Sequence, residues 1–355
     1  MELKTIINSF EIEGEIMSIQ QQNIGLINTN YLVVCSQKKY VFQQINTVIF
    51  KNVSAIMENI VMVNEHLKNT NYNYELLTLI STKSKENLFF DNNQNPWRCF
   101  AFIKNKNYTF SELNNTIMTE YGKAIGHFHA CLANFDTAKI TNTIDNFHNT
   151  LKYFNVLEDL ISNSSGKRKN EAEESFVFIQ QFEDRFQQIN QLIDAEKIPL
   201  RVCHNDTKIE NILFDKKGEN VKSIIDLDTI MSNSIIYDFG DAIRTSCNTS
   251  NENNKQISNV NFNFEFFKAF SKGYLKETQS FIRKEEINLL SFSGILLALE
   301  QAIRFFTDYL NGSIYYKTDY PNQNLDRGLN QIALAKKMMI NEKEMENYIQ
   351  SLSQS

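Results

Sequence analysis

The apolar positions fall into two regimes along the chain. Residues 31–35 (Tyr-Leu-Val-Val-Cys) and 40–45 (Tyr-Val-Phe-Gln-Gln-Ile) are short runs rich in β-branched and aromatic side chains. The polar tetrapeptide Ser36-Gln37-Lys38-Lys39 separates them, which predicts a hairpin. Between 52 and 68, Val53, Ile56, Ile60, Val63 and Leu67 recur at spacings of three and four, the period of a helix with one buried face. Two more β-prone runs follow, at 75–80 and 97–103. After the polar Lys104-Asn105-Lys106-Asn107 the helical period takes over, at about 111–133, 147–162, 171–193, 262–277, 286–310 and 327–338. One strand-rich island interrupts it, at 200–226. The pattern predicts an α+β protein with a small β-rich N-terminal lobe, 1–103, and a larger, mainly helical C-terminal lobe, 104–355. The stretch 163–170 has no apolar residue to bury and reads as a mobile loop.

Composition narrows the class. A chain of 355 residues suggests about two domains or one two-lobed unit. With 27 Phe and 14 Tyr it can fill a sizeable core, and 11 Gly and 3 Pro favour helix over tight turns. A net charge of −6 argues against a nucleic-acid partner, which calls for a basic stripe. The five Cys are odd in number and lack a Cys-x-x-Cys spacing, so reduced thiols are expected. The first ten residues lack a signal-peptide core, and no apolar run approaches the roughly 18 residues that would span a bilayer. The expectation is a soluble cytoplasmic protein with no membrane partner, acting as a monomer or weak homodimer.

The chemistry is concentrated between 200 and 245. The segment His204-Asn205-Asp206-Thr207-Lys208-Ile209-Glu210-Asn211 is followed by Ile225-Asp226-Leu227-Asp228-Thr229. Phosphoryl transfer needs a carboxylate to orient or deprotonate the attacking hydroxyl. It needs an amide oxygen and a second carboxylate to hold Mg²⁺ on the phosphates, and a cation for the charge on the transferred group. The order His-x-Asp-x-Lys-x-x-Asn, then a strand ending in Asp, supplies these groups in the order of a kinase catalytic loop. Asp206 is the candidate base and Lys208 the candidate γ-phosphate cation. Asn211 and Asp226 are candidate metal ligands, with Asp228 adjacent for a second ion or the substrate. Runs 212–214 and 221–225, joined by the 215–220 turn, predict a hairpin with Asn211 at its entry and Asp226 at its exit. His204 is expected to brace the loop.

These residues resemble the aminoglycoside phosphotransferase and choline kinase superfamily, whose fold is protein-kinase-like and bilobal. More narrowly, the chain is similar to bacterial N-acetylhexosamine 1-kinases, through the two segments above and Tyr237-Asp238-Phe239-Gly240-Asp241-Ala242-Ile243-Arg244. Similar positions extend over nearly the whole chain, including Asn28 with Tyr31, Gln44-Ile45-Asn46, Met57-Glu58-Asn59, Trp97-Arg98, Phe147-His148, Arg304, Asp308 and Tyr315. The resemblance implies ATP and Mg²⁺ as cofactors and an N-acetylhexosamine acceptor, phosphorylated at its anomeric hydroxyl. It also implies that the segment ending at Ile103 is the hinge that meets the adenine edge.

Departures and weaker constellations complete the reading. The third-strand cation of kinases has no obvious counterpart, because Gln43-Gln44 stands there; Lys51, Lys38 or Arg98 are the alternatives. The glycine-rich loop is reduced to Gly25. Glu58, with Glu65 as rival, is placed on the 52–68 helix to pair with a phosphate-contacting cation. Glu300, Arg304 and Asp308 repeat at spacing four on an apolar helix, which makes either an ion-pair ladder or a sugar-binding wall. Arg304, Asp308, Tyr315, His148 and Asp206 are the candidate sugar contacts. Asn28, Gln44, Glu58, Arg98 and Ile103 join Gly25 as candidate nucleotide contacts. His127 and His129 lack a third ligand in sequence, so no metal is expected there. Another phosphotransferase of the same superfamily, or a non-catalytic nucleotide- or sugar-binding protein, is the alternative.

Overall fold

A computed structural model describes residues 2–22, 27–108 and 112–353. The chain opens with a short helix, α1 (Leu3–Ile7), and strands β1 (Ile16–Gln22), β2 (Thr29–Cys35) and β3 (Lys39–Gln44). Helix α2 (Val53–Lys68), β4 (Phe89–Phe90) and β5 (Pro96–Ala101) complete the first lobe. The strands form an antiparallel sheet in the order β1-β2-β3-β5-β4. β1 was not expected: its run of Gln and Ser carries little strand signal. The 75–80 run is not a strand. It lies beside β5 through an isolated Leu79–Phe100 bridge, and its Ile80 N–H donates to the Cys99 carbonyl. One sheet face buries Val33, Tyr40, Phe42, Trp97 and Cys99 against Ile6, Ile7 and Phe10.

The second lobe is helical: α3 (Asn115–Leu132), α4 (Thr150–Asn163), α5 (Lys167–Gln180) and α6 (Glu183–Asp194) come first. The expected 171–193 helix is thus two helices, broken at Gln181 and Phe182. The stretch read as a mobile loop is largely helix as well. Its tail starts α5, where Arg168 donates to the Tyr309 carbonyl at 2.7 Å and lies over the Tyr309 ring. A polar sequence is ordered here by one cation and one aromatic ring.

The island that follows holds β6 (Arg201–Cys203), β7 (Ile212–Phe214), β8 (Val221–Ile224) and β9 (Met231–Asn233), paired β6-β9 and β7-β8. Helices α7 (Ile235–Ser246), α8 (Phe264–Thr278), α9 (Lys284–Leu310), α10 (Gln323–Ile340) and α11 (Glu342–Ser353) close the chain. α9 is long and apolar enough, by length and composition, to cross a membrane, which corrects the expectation that no segment would be. Most of it is buried, with α4, α7, α10 and α11 packed around it. Glycines bring α3 and α8 together: a Cβ on Gly122 or Gly273 would strike backbone of the opposite helix. The molecule is therefore a mixed α+β protein with a small antiparallel-sheet lobe and a larger helical lobe.

Candidate active site

Asp238, on the first turn of α7 and fully buried, organises the loop that leaves β6. Its carboxylate accepts the N–H groups of His204 (2.8 Å) and Asn205 (2.6 Å) and faces His129 Nε2 at 2.8 Å. Its carbonyl accepts Thr207 Oγ1 at 2.6 Å. Burial alone would raise the Asp238 pKa, but the His129 ring and the loop N–H groups outweigh it and lower it. Asn205 takes a left-handed φ of +62° and donates its amide to the Cys203 and Thr229 carbonyls. His204 braces the loop: Nε2 donates to the Ile225 carbonyl (2.8 Å) and Nδ1 accepts the Asp206 N–H (3.2 Å). That satisfies a neutral imidazole completely.

The bracing leaves Asp206 facing outward, with 29% of its side chain exposed. Lys208 Nζ lies 2.6 Å from Asp206 Oδ2, and Asn211 Nδ2 lies 3.0 Å from the same atom. Burial pushes the Asp206 pKa up, but Lys208 first, then the Asn211 amide, hold it below the usual carboxylate range. It is an ionised carboxylate at neutral pH. The β7–β8 hairpin sets the next pair. Ile225 N–H donates to the Asn211 carbonyl at 2.9 Å, so Asn211 and Asp226 sit side by side across the hairpin mouth. Asp226 has a left-handed φ of +62°. Burial, then the neighbouring Asp228, push its pKa up to about 6.

A hard divalent ion needs free oxygen ligands. Among the described residues, the Asp226 carboxylate and Asn211 Oδ1 take part in no protein hydrogen bond, so this pair fits Mg²⁺. Asp228 does not. Its Oδ1 is in charge contact with Arg98 Nη1 at 2.6 Å, without hydrogen-bond alignment, and its Oδ2 accepts Asn28 Nδ2 at 2.8 Å. The expectation of Asp228 as a metal ligand is thereby corrected: it is the anion for a cation from the other lobe.

That cation stands on β5, beside the third strand. Register pairs Arg98 with Gln43, and Arg98 Nε donates to Gln43 Oε1 at 2.8 Å. Gln44 pairs with Trp97 and, by strand alternation, points to the opposite sheet face. The sheet's cleft-side pair is therefore Gln43 with Arg98, and Gln44 is corrected. Glu58 is exposed and not paired with Arg98, which instead touches Met57 Sδ at 3.7 Å. Asn28 ties Asp228 to the Asn46 N–H through its two amide atoms. The Ile103 carbonyl accepts Asn105 Nδ2 at 2.8 Å. Gly25 lies outside the described residues.

On the helical side, His148 is buried with both ring nitrogens engaged: Nδ1 with Glu300 Oε1 (2.7 Å) and Nε2 with the Asn205 carbonyl (3.1 Å). It is not available to a sugar as expected. Asp308 is likewise occupied: it accepts the N–H groups of Ile314, Tyr315 and Tyr316 and the amide of Asn324. It anchors the segment that carries Tyr315, whose side chain is half exposed. Arg304 differs. Its guanidinium lies 5.6–5.8 Å from the ring centres of Phe147, Tyr153 and Tyr316, with no carboxylate within 4 Å among the described residues. Of the two readings of Glu300, Arg304 and Asp308, the ion-pair ladder does not form among the described residues.

Three features escaped the sequence reading. Glu300 pairs with His148 instead of Arg304. Asp241 pairs with Arg244 (2.8 Å) while its other oxygen is buried without a partner. His129, expected to lack a third ligand, has Cys203 and Asp238 close by. Its nitrogens are engaged by Tyr274 and Asp238, and Cys203 Sγ donates to the Asn233 carbonyl. Glu300 meets a partner 152 residues away, which linear periodicity does not carry, whereas Asp241 and Arg244 are an i,i+3 pair on α7 whose spacing was visible in the sequence.

Comparison with known proteins places this geometry. In fold the chain is similar to amicoumacin kinase in complex with AMP-PNP, Ca²⁺ and Ami, at a TM-score of 0.62 and 12% identity, covering 98% of this chain and 94% of that one. It is similar to a spectinomycin phosphotransferase in complex with ADP and spectinomycin, at 0.62 and 15%, covering 94% and 97%. A choline kinase from Cryptosporidium parvum Iowa II matches at 0.56 and 14%, covering 94% and 93%. Identities this low speak for the fold alone. Residues 18–257, from β1 to beyond α7, match the phosphotransferase enzyme family, and the chain belongs to that family.

Proposed function

We propose that the protein transfers the γ-phosphoryl group of ATP to the anomeric hydroxyl of an N-acetylhexosamine, yielding the sugar 1-phosphate. Asp206, ionised and facing outward, accepts the proton of the attacking hydroxyl, with Lys208 beside it to meet the transferred group. Asn211 Oδ1 and Asp226 would hold Mg²⁺, which supplies charge neutralisation on the phosphates. Arg98, oriented by Gln43, is the cation of the nucleotide side. An anomeric hydroxyl is more acidic than an ordinary alcohol, so a carboxylate with a lowered pKa can serve it.

What supports the acceptor class is the charge distribution along the α9 side chains next to the Asp206 loop. Two carboxylates of α9 are committed: Glu300 to His148 and Thr150, Asp308 to backbone amides and Asn324. Arg304 has no carboxylate partner among the described residues: its Nη1 donates to Gln301 Oε1 at 3.4 Å, and aromatic side chains ring it. Such a surface favours a neutral polyol with carbonyl and hydroxyl acceptors and disfavours a cationic amine, whose burial beside a guanidinium with no carboxylate contact is costly. Glu300 supports this reading. It touches the Asp206 loop through His148, and Arg304 follows four residues later, about 6 Å along α9.

The test is phosphate transfer from ATP across hexosamines, hexoses, choline and kanamycin, with NMR of the product to locate the phosphate. Transfer to C1 of N-acetylglucosamine or N-acetylgalactosamine is the expected result. Preferred turnover of an amine acceptor would replace this reading with a broader phosphotransferase. Tight ATP binding with no transfer to any acceptor would favour a non-catalytic protein.

A further inference from the structure

His148 sits just before α4 with φ at +61°, a conformation a non-glycine residue keeps only where its surroundings fix it. The surroundings are specific. Nδ1 lies 2.7 Å from Glu300 Oε1 and Nε2 lies 3.1 Å from the Asn205 carbonyl. A backbone carbonyl and an ionised carboxylate are acceptors only, and a neutral imidazole has a single N–H to give. Glu300 is ionised. Burial raises its pKa, but His148, then Arg304 and the Thr150 hydroxyl at 2.5 Å, bring it below the usual value. Both hydrogen bonds are therefore made together only when the ring carries two protons.

We propose that His148 is a resident imidazolium whose two N–H groups tie α9 to the Asp206 loop, making it a positioning residue for the base. The proposal rests on the reading of Asp206 as that base. The peptide unit involved is the one that joins Asn205 to Asp206. Its carbonyl accepts from His148 and its N–H, on Asp206, donates to His204 Nδ1. Two histidines thus grip opposite edges of one peptide plane, one charged and one neutral, and the Asp206 side chain departs from that plane. The ring is also stacked on Tyr237, 5.2 Å away and tilted by 9°, so its plane is fixed as well as its hydrogen bonds.

The charges around the ring agree. α9 contributes Glu300, with Arg304 one turn further on; α7 contributes Tyr237 and Asp241; the loop contributes the Asn205 carbonyl. Burial opposes the imidazolium, but Glu300 and then Asp241 outweigh it, and the His148 pKa is raised. Because Glu300 also feels Arg304, the acceptor wall and the base share one helix and one carboxylate.

The experiment records the ring nitrogens of the full chain, labelled with ¹⁵N-histidine, from pH 6 to 9. His148→Asn serves to assign the signal among the five histidines. The expected result is an imidazolium pattern for His148 at pH 7.5. In Glu300→Gln that pattern should be lost at lower pH than in the wild type. Turnover is read in parallel with whichever acceptor the substrate panel returns. In Glu300→Gln, kcat should fall by on the order of tenfold, more at pH 8.5 than at pH 6, with KM for ATP unchanged. A neutral-tautomer pattern at pH 7.5 in the wild type would overturn the proposal. So would a Glu300→Gln kcat profile parallel to that of the wild type. If His148→Asn does not fold, the wild-type spectrum and Glu300→Gln decide it. Failure of the hexosamine reading looks different: no sugar phosphate forms while the imidazolium pattern persists.

Discussion

Arg98 on β5 and Asp228 on the segment after β8 meet across the lobe boundary, Nη1 to Oδ1 at 2.6 Å, with 1% and 3% of their side chains exposed. The contact joins the sheet to the residues beside the candidate metal pair. It also makes each residue dependent on the other, because an unpaired charge so deeply buried is strongly unfavourable. Arg98→Ala and Asp228→Ala should each lower the unfolding free energy by about 3–5 kcal/mol. The double variant should lose less than the sum of the two. Urea denaturation of the three variants gives the coupling, and additive losses would mean that the pair does not interact. Arg98→Ala should also raise KM for ATP while leaving KM for the acceptor near its wild-type value.

Asp206→Asn keeps the size of the side chain and removes the proton acceptor. The expected result is a kcat reduced by about a hundredfold or more, the usual scale for loss of a general base, with an unchanged far-UV spectrum and melting temperature. The Asp206–Lys208 contact at 2.6 Å would be weakened at the same time, so Lys208→Ala is the companion measurement. It should lower kcat while the Asp206 carboxylate stays in place. Near wild-type turnover in Asp206→Asn would remove Asp206 from the mechanism.

The parts legible in the sequence are those written in local spacing. The hairpin of β2 and β3, helix α2, the β7–β8 hairpin and the order Asp206, Lys208, Asn211, Asp226 all follow from short spacings along one continuous stretch of chain. The parts that were not legible depend on partners far along the chain. Gln43 and Gln44 are adjacent, and only the strand register decides which faces the cleft. His148 and Asp308 were read as sugar contacts because their chemistry suits a hydroxyl. Their capacity is instead taken up by Asn205 and Glu300 in one case and by three consecutive backbone amides in the other. Similarly, 163–170 looked free because the Tyr309 that orders Arg168 lies 141 residues away.

Asp238 supports the loop with its charge. Asp238→Asn presents an amide where three N–H donors converge, and a loss of roughly 3 kcal/mol is expected from the broken charge-assisted bonds. The pH dependence follows from the lowered pKa in the folded state. An unfolded Asp titrates near about 3.9, so this stabilisation is fully present above that value. It disappears as pH falls through the lower folded value. The stability difference between wild type and variant should be flat from neutral pH down to the unfolded titration and then shrink. A difference that grows on acidification would contradict the assignment.

Gly273 on α8 faces the backbone of α3 at Thr119, with no room for a Cβ. Helix propensity alone would make Ala better there by about 1 kcal/mol. Overpacking against backbone costs about 1–3 kcal/mol, so Gly273→Ala should melt at a lower temperature than the wild type. A higher melting temperature would mean that the two helices separate without penalty.

Arg304→Ala tests the acceptor wall directly. The guanidinium has aromatic neighbours and no carboxylate within 4 Å among the described residues. Its removal therefore leaves no protein anion stranded, and the fold should be little affected. What is lost is a charged donor toward the acceptor. A hydrogen bond from a charged group contributes about 1.5–3 kcal/mol, so KM for the sugar should rise on the order of ten- to a hundredfold with KM for ATP nearly unchanged. Arg304→Lys retains the charge but not the planar fork, and should recover only part of the loss. The charge argument adds a second outcome. With the cation gone, an amine acceptor meets no repulsion, so the ratio of hexosamine to choline turnover should fall in Arg304→Ala. If sugar KM stays at its wild-type value while both acceptors are handled as before, Arg304 does not face the acceptor, and the polyol assignment loses its main support.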